Sequence, residues 1–149
     1  MRNKLFRTME KYLYNQSAIE QAIKEAREEQ ADAGKKIDNT GGGKSNTVGD
    51  PTASKAIKLA SPLKSVVVDG MGTVFKPETW VKVMDDAYAA QSSSMQKILR
   101  ARYYKRIASV QALGIDFFRS RSGLYAACHE FVWEVVARAA ASGLIRFDK

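Results

Sequence analysis

Cysteine and histidine are almost missing from this 149-residue sequence: one of each, Cys128 and His129, stand side by side. A lone cysteine excludes an intrachain disulfide and any multi-cysteine zinc site. It sits in an apolar run and reads as a small core residue. His129 has no partner set around it and reads as a surface or core histidine. Long hydrophobic runs are also absent. Ser65–Val68 and Phe131–Ile145 are too short or too charged to span a bilayer, so no membrane association is expected. Met1–Arg7 carries charge with no apolar stretch behind it, so no signal peptide is expected and the reducing cytoplasm is the expected compartment. Neither paired carboxylates, nor a metal-ligand cluster, nor a nucleophile–base pair stands out. Ser92-Ser93-Ser94 lacks a usable histidine, and Asp85-Asp86 reads as an exposed helix face. The expectation is a protein that is not an enzyme and holds no cofactor or metal.

Acid is in short supply too. Against 24 Lys and Arg there are 16 Asp and Glu, a net charge of +8. Such an excess is the footprint of a polyanionic partner. It concentrates in Met95–Tyr125, which holds seven basic residues (Lys97, Arg100, Arg102, Lys105, Arg106, Arg119, Arg121) and one acid, Asp116.

Along the chain, the periodicity predicts one long N-terminal helix from Asn3 to about Ala31. Leu5, Met9, Tyr12, Leu13, Gln16, Ile19 and Ile23 fall on one face at three- and four-residue steps. Its opposite face is charged, with Glu20–Lys24 and Lys24–Glu28 at pairing distance along the helix. The apolar stripe needs a partner, either the rest of the chain or a second copy in a homodimer. Gly34 to Asp50, with five glycines, reads as a flexible linker. Within it, Gly41-Gly42-Gly43-Lys44-Ser45 mimics a phosphate-binding loop. Asp38 stands where that loop needs its first glycine, and neither flank supplies the strand or the helix. The linker reading is preferred.

Asp50-Pro51 opens a short helix through Ala60, capped by aspartate and started by proline. Ser65–Val68, the Asp69-Gly70 turn and Thr73-Val74-Phe75 predict a β-hairpin. A helix follows from Lys76-Pro77-Glu78 through Ala90, with Trp80, Val81, Met84 and Tyr88 on one face. Ser92-Ser93-Ser94 breaks and caps, Met95–Arg106 is the next helix, and Ile107–Leu113 a short one. The last helix starts near Ser120 or Ser122. It carries Leu124, Ala127, Cys128, Phe131, Val132, Val135, Val136 and Ala139 as far as Ser142-Gly143, where glycine ends it. The expected architecture is therefore mainly α. It has an N-terminal amphipathic helix (1–33), a linker (34–50) and a helical bundle (51–149) with a small β-hairpin near 65–75 and a helix-turn-helix at about 95–143.

The helix-turn-helix reading rests on Gly114. Val110 supplies the small residue four positions earlier, and Leu113 and Ile115 flank the glycine. A longer connection, Ile115–Arg119, lets Ser120 cap a helix beginning at Arg121, whose inner face is then Leu124, Cys128 and Phe131. Arg119, Ser120, Arg121, Ser122 and Tyr125 would lie on the exposed first turn and a half. Arginine there can contact guanine, and the hydroxyls suit phosphates or base edges. Arg102, Lys105 and Arg106 would sit over the flanking backbone. Trp80, Tyr88, Tyr103, Phe118, Phe131 and Trp133 could stack on single-stranded bases, but at helical spacing they read as core. A solvated basic face with no ligand is the bland alternative.

Three segments in this order resemble the phage and prophage late-gene transcription regulators of the ArpU/RinA type. They are Arg7-Thr8-Met9-Glu10-Lys11-Tyr12-Leu13, then Asp50-Pro51-Thr52-Ala53-Ser54-Lys55-Ala56 after the glycine-rich linker, and finally Arg102-Tyr103-Tyr104 through Leu113-Gly114-Ile115 to Ser120-Arg121-Ser122-Gly123-Leu124-Tyr125. The resemblance implies a C-terminal domain similar to sigma-factor region 4, with its recognition helix starting at Ser120-Arg121-Ser122. It also implies sequence-specific binding of double-stranded DNA near a phage promoter and late-gene activation with host RNA polymerase. Residues 116–119 and the strand-like Val66–Phe75 depart from the family pattern. Q-type antiterminators are functional neighbours, sharing the sigma-like tail. Two other readings fit the same features: a small-terminase-like DNA-packaging protein, and an interaction protein assembling through Met9–Ile23 and the C-terminal helix.

Overall fold

The computed structural model describes residues 2–33, 60–105 and 121–146. The protein is mainly helical, with one two-stranded antiparallel sheet among these residues. In order they are α1 (Arg2–Tyr14), α2 (Gln16–Ala33), β1 (Ser65–Val68), β2 (Gly72–Phe75), α3 (Pro77–Ala89), α4 (Ser93–Leu99), a π-helical turn (Arg100–Tyr104) and α5 (Arg121–Ala141). The chain divides into two compact units, one made of Met1–Ala18 with Thr79–Lys149 and the other of Ile19–Glu78.

The single N-terminal helix expected from the periodicity is two helices. Asn15 separates α1 from α2: its side-chain Nδ2 donates to the Lys11 carbonyl at 2.7 Å, and its own amide is shared between the Lys11 and Tyr12 carbonyls at 3.2 Å. A short amide side chain that bonds back onto the helix competes with the regular ladder. The apolar face continues across the break, because Met9, Leu13, Gln16 and Ile19 are all buried.

Within the unit Ile19–Glu78, β1 and β2 pair with Val66 opposite Val74 and Val68 opposite Gly72. Val66, Val68 and Val74 point inward and are buried, while Ser65, Val67, Thr73 and Phe75 face outward. The turn is a little longer than Asp69-Gly70 alone. Met71 N donates to Val68 O at 3.0 Å, and Gly70 takes φ 75, the positive value a type II turn demands at its third residue. Arg27 of α2 ties the unit together. It donates through Nη2 to Glu78 Oε1 at 2.7 Å and to the Ser61 carbonyl at 2.8 Å, while Glu78 Oε2 accepts from Leu63 N at 3.0 Å.

In the other unit, α1 packs on α5 and on the π-helical turn. Phe6 meets His129 edge-on with ring centroids 4.8 Å apart, and lies 5.8 Å from Trp133. Tyr14 meets Tyr103 at 4.8 Å and Tyr12 meets Trp80 at 4.8 Å. Gln16 is a buried polar residue of this core. Its Nε2 donates to Asp85 Oδ1 at 2.7 Å, and its Oε1 accepts from the Tyr104 hydroxyl. Leu124, Cys128, Phe131, Val132, Val135, Val136 and Ala139 form the buried side of α5, at three- and four-residue steps. Gly143 ends the helix as the spacing predicts. At φ 70 it allows Leu144 N to reach Ala139 O at 2.9 Å and its own N to reach Ala140 O at 3.0 Å, the paired bonds of a Schellman cap. No helix among the described residues is long and apolar enough to cross a membrane.

Candidate nucleic-acid interface

The basic region begins at a serine cap. Ser92 Oγ accepts from Met95 N at 3.2 Å, satisfying one of the amides a helix leaves unpaired at its start. Helix α4 then buries Met95, Ile98 and Leu99. At Arg100 the ladder widens: Lys105 N donates to Arg100 O, five residues back, at 2.9 Å. Single π-turns of this kind are frequent at functional sites. This one lets Ala101, Arg102 and Tyr103 all turn toward the core while Arg100, Tyr104 and Lys105 remain outside.

Outside, Lys97, Arg100 and Lys105 line one face, with Tyr104 between them. None of the three cations has an ion-pair partner among the described residues. The Arg100 guanidinium lies 6.0 Å from the centre of the Tyr88 ring. No acid occurs in the sequence between Asp86 and Asp116, so no carboxylate of that stretch neutralises this stripe.

Inside, Arg102 takes a different part from the one expected. Its side chain is only 14% exposed and its Nη2 stands 3.3 Å from Glu10 Oε1 of α1. The guanidinium also lies 5.4 Å from the Tyr103 ring centre and 5.2 Å from that of Tyr125 on α5. An arginine spent on a carboxylate and two aromatic faces is not an outward backbone cation. It joins α1, the π-turn and the opening of α5. The periodicity held the clue, since 102 falls four residues after Ile98 and three after Leu99, on their apolar face. The same spacing puts Lys97 and Arg100 on the outer face, where they were the better candidates.

Burial works against the charge of Arg102, yet the Tyr103 and Tyr14 phenols and the Cys128 thiol, each able to become an anion, outweigh it. Its pKa therefore lies above its already high ordinary value. Burial pushes the Tyr103 phenol up, opposed in part by the nearby Arg102 charge. The Cys128 thiol is raised by the same burial and opposed by the same arginine. Arg102 Nε and the Tyr103 hydroxyl are buried with no hydrogen-bond partner among the described residues.

Of the other expected contacts, Lys105 is exposed directly after the π-turn and Ser122 is exposed in the first turn of α5. Arg121 is the first residue of α5. Tyr125 is half-buried, with its ring against Arg102. Arg106, Arg119 and Ser120 lie outside the described residues, as do the turn around Gly114, the glycine-rich linker and the Asp50-Pro51 helix. The Arg102–Tyr125 contact brings the end of the cationic stripe beside the opening of α5, so Lys97, Arg100 and Lys105 belong to the same unit as Ser122. Such a surface offers point charges and one fork-shaped donor to an anion. Comparison with known protein families, with curated proteins and with solved structures finds no match.

Proposed function

We propose that this protein binds double-stranded DNA sequence-specifically and regulates transcription of phage or prophage genes, activating late-gene expression with host RNA polymerase. The observation that carries the reading is the stripe of Lys97, Arg100 and Lys105, without ion-pair partners among the described residues, beside the opening of α5 and in a stretch of sequence with no acid. In this reading α5 is the recognition helix of a helix-turn-helix. Arg121 and Ser122 meet base edges, and Arg119 and Ser120 lead into them. Lys97, Arg100, Lys105 and Arg106 neutralise the flanking phosphates. Leu124, Cys128 and Phe131 anchor the helix in the core. Arg102 is a positioning residue: it holds the recognition helix by its second turn and touches no DNA.

With about four to six phosphates neutralised, the log–log dependence of affinity on salt has a slope of roughly −4 to −5. Footprinting across the parent phage genome, followed by titration of the recovered site over a range of salt, tests the proposal. Replacing Arg121 with alanine should weaken the preferred site by about 1–3 kcal/mol while sparing other sequences. A duplex left unshifted by the full chain at low salt would rule the function out.

A further inference from the structure

The β1–β2 hairpin carries a strained residue and two cations at one end. Lys76 holds φ 49, a left-handed conformation that strains any residue with a Cβ. Its amide donates to the Lys64 carbonyl at 2.9 Å, which adds one backbone rung beyond Ser65–Phe75 and brings two lysines to the same end of the ribbon. Both lysines are exposed, and neither has a carboxylate partner among the described residues. The one acid of the hairpin is Asp69, in the turn at the far end, about 17 Å from Lys64 at 3.4 Å per residue. Glu78, the next acid along, is committed to Arg27 and the Leu63 amide. A glycine or an asparagine would hold the Lys76 backbone more easily, so the ammonium groups are the part of this arrangement that needs a reason.

Beside them the outward face of the ribbon is uncovered: Val67 is 75% and Phe75 68% exposed, alongside the hydroxyls of Ser65 and Thr73. Two strands of four residues make a face only about 13 Å long and 10 Å wide. That is far below the roughly 800 Å² per partner of a stable protein interface. A two-stranded ribbon of this width does match the major groove, about 12 Å across, where apolar side chains meet thymine methyl groups and hydroxyls meet base edges.

We propose that this hairpin is a second duplex-DNA contact, on a different unit from the cationic stripe, with Val67 and Phe75 turned into the groove and Lys64 and Lys76 on its phosphates. It deepens the DNA-binding reading and rests on it. The test is titration of a mixed-sequence duplex with the full chain over a range of salt. Lys64→Gln/Lys76→Gln should make the slope shallower by about 1.8, two phosphates at 0.9 each. Lys76→Gly should lose about 0.9 while its thermal midpoint stays level or rises, which separates the lost contact from lost folding. Val67→Ser/Phe75→Ser should weaken binding with the slope unchanged. Hairpin variants that bind as the wild type does, while Lys97→Ala/Arg100→Ala/Lys105→Ala loses slope, overturn this inference and leave the function standing. The reverse pattern would move the interface to the hairpin. A wild-type chain that ignores the duplex ends both.

Discussion

Replacing Arg102 with methionine should damage the fold and leave the electrostatics of DNA binding intact. The substitution removes a charge-assisted bond to Glu10 at 3.3 Å, a contact class that stabilises by about 1.5–3 kcal/mol when partly buried. Two aromatic contacts at 5.4 and 5.2 Å go with it, each contributing at least about 0.5–1 kcal/mol, the range for exposed sites. Against these losses, the variant no longer buries an Nε–H that has no hydrogen-bond partner among the described residues, a group whose desolvation costs about 1–3 kcal/mol. Methionine also keeps much of the apolar stem's packing. The net expectation is destabilisation of about 2 kcal/mol, made worse by the unpaired Glu10 carboxylate left behind. Adding Glu10→Leu should recover part of that loss. Urea denaturation gives the stability, and a salt series on a duplex gives the slope. Away from the unfolding transition the slope should stay at the wild-type value. An unaltered midpoint together with a slope shallower by about 0.9 would mean that Arg102 touches a phosphate, and the inward assignment would be wrong.

Other consequences are equally direct. Tyr103→Phe should leave stability unchanged or raise it by about 1 kcal/mol, because the deleted hydroxyl is buried without a hydrogen-bond partner among the described residues and its removal ends a desolvation cost; a loss of similar size in urea would reveal a bond to that hydroxyl. Stability should fall as the solution turns alkaline. Tyr103 and Cys128 are acids whose folded pKa values lie above their ordinary ones, so the folded chain keeps protons that the unfolded chain has released. Their contribution is complete below about pH 8.5 and shrinks as pH climbs past the ordinary thiol and then phenol values. Urea midpoints measured from neutral pH upward should decline, and a flat profile in wild type would contradict the burial of both groups. The Cys128 thiol should resist aromatic disulfide reagents in native buffer and react at once in urea. Gly143→Ala should cost about 1 kcal/mol, since φ 70 strains any side chain, and a thermal midpoint equal to wild type would argue against that cap.

Much of the fold was legible because local chemistry and tertiary structure agree. Asp69-Gly70 between alternating valines fixed the hairpin, Pro77 and Ser92 opened their helices, and Gly143 closed the last one. The three-to-four-residue stripe of α5 gave its buried side except at Ala127, which is only half-buried. What escaped was decided by single side chains. Asn15 breaks a helix whose apolar pattern runs on through Gln16, so periodicity alone reports continuity. The Arg102 side chain turns inward because Glu10, some ninety residues earlier, supplies the opposite charge, and charge counting along a window is blind to that. The outward stripe of Lys97, Arg100 and Lys105 was present in the spacing, hidden among seven basic residues that include the inward Arg102. The exposed hairpin face was missed for another reason. Strand alternation tells which side is buried, but does not tell whether the other side is solvated or reserved for a partner.

The central claim is that the outward cations of α4 and the π-turn meet the phosphates of a duplex. Its most direct test is the salt dependence of duplex binding by the wild type and by Lys97→Ala/Arg100→Ala/Lys105→Ala, with thermal midpoints measured on both. The account predicts equal midpoints and a slope shallower by about 2.7 in the variant, three phosphates at 0.9 each. Equal slopes would mean that the stripe is merely solvated, and the interface would have to be sought elsewhere.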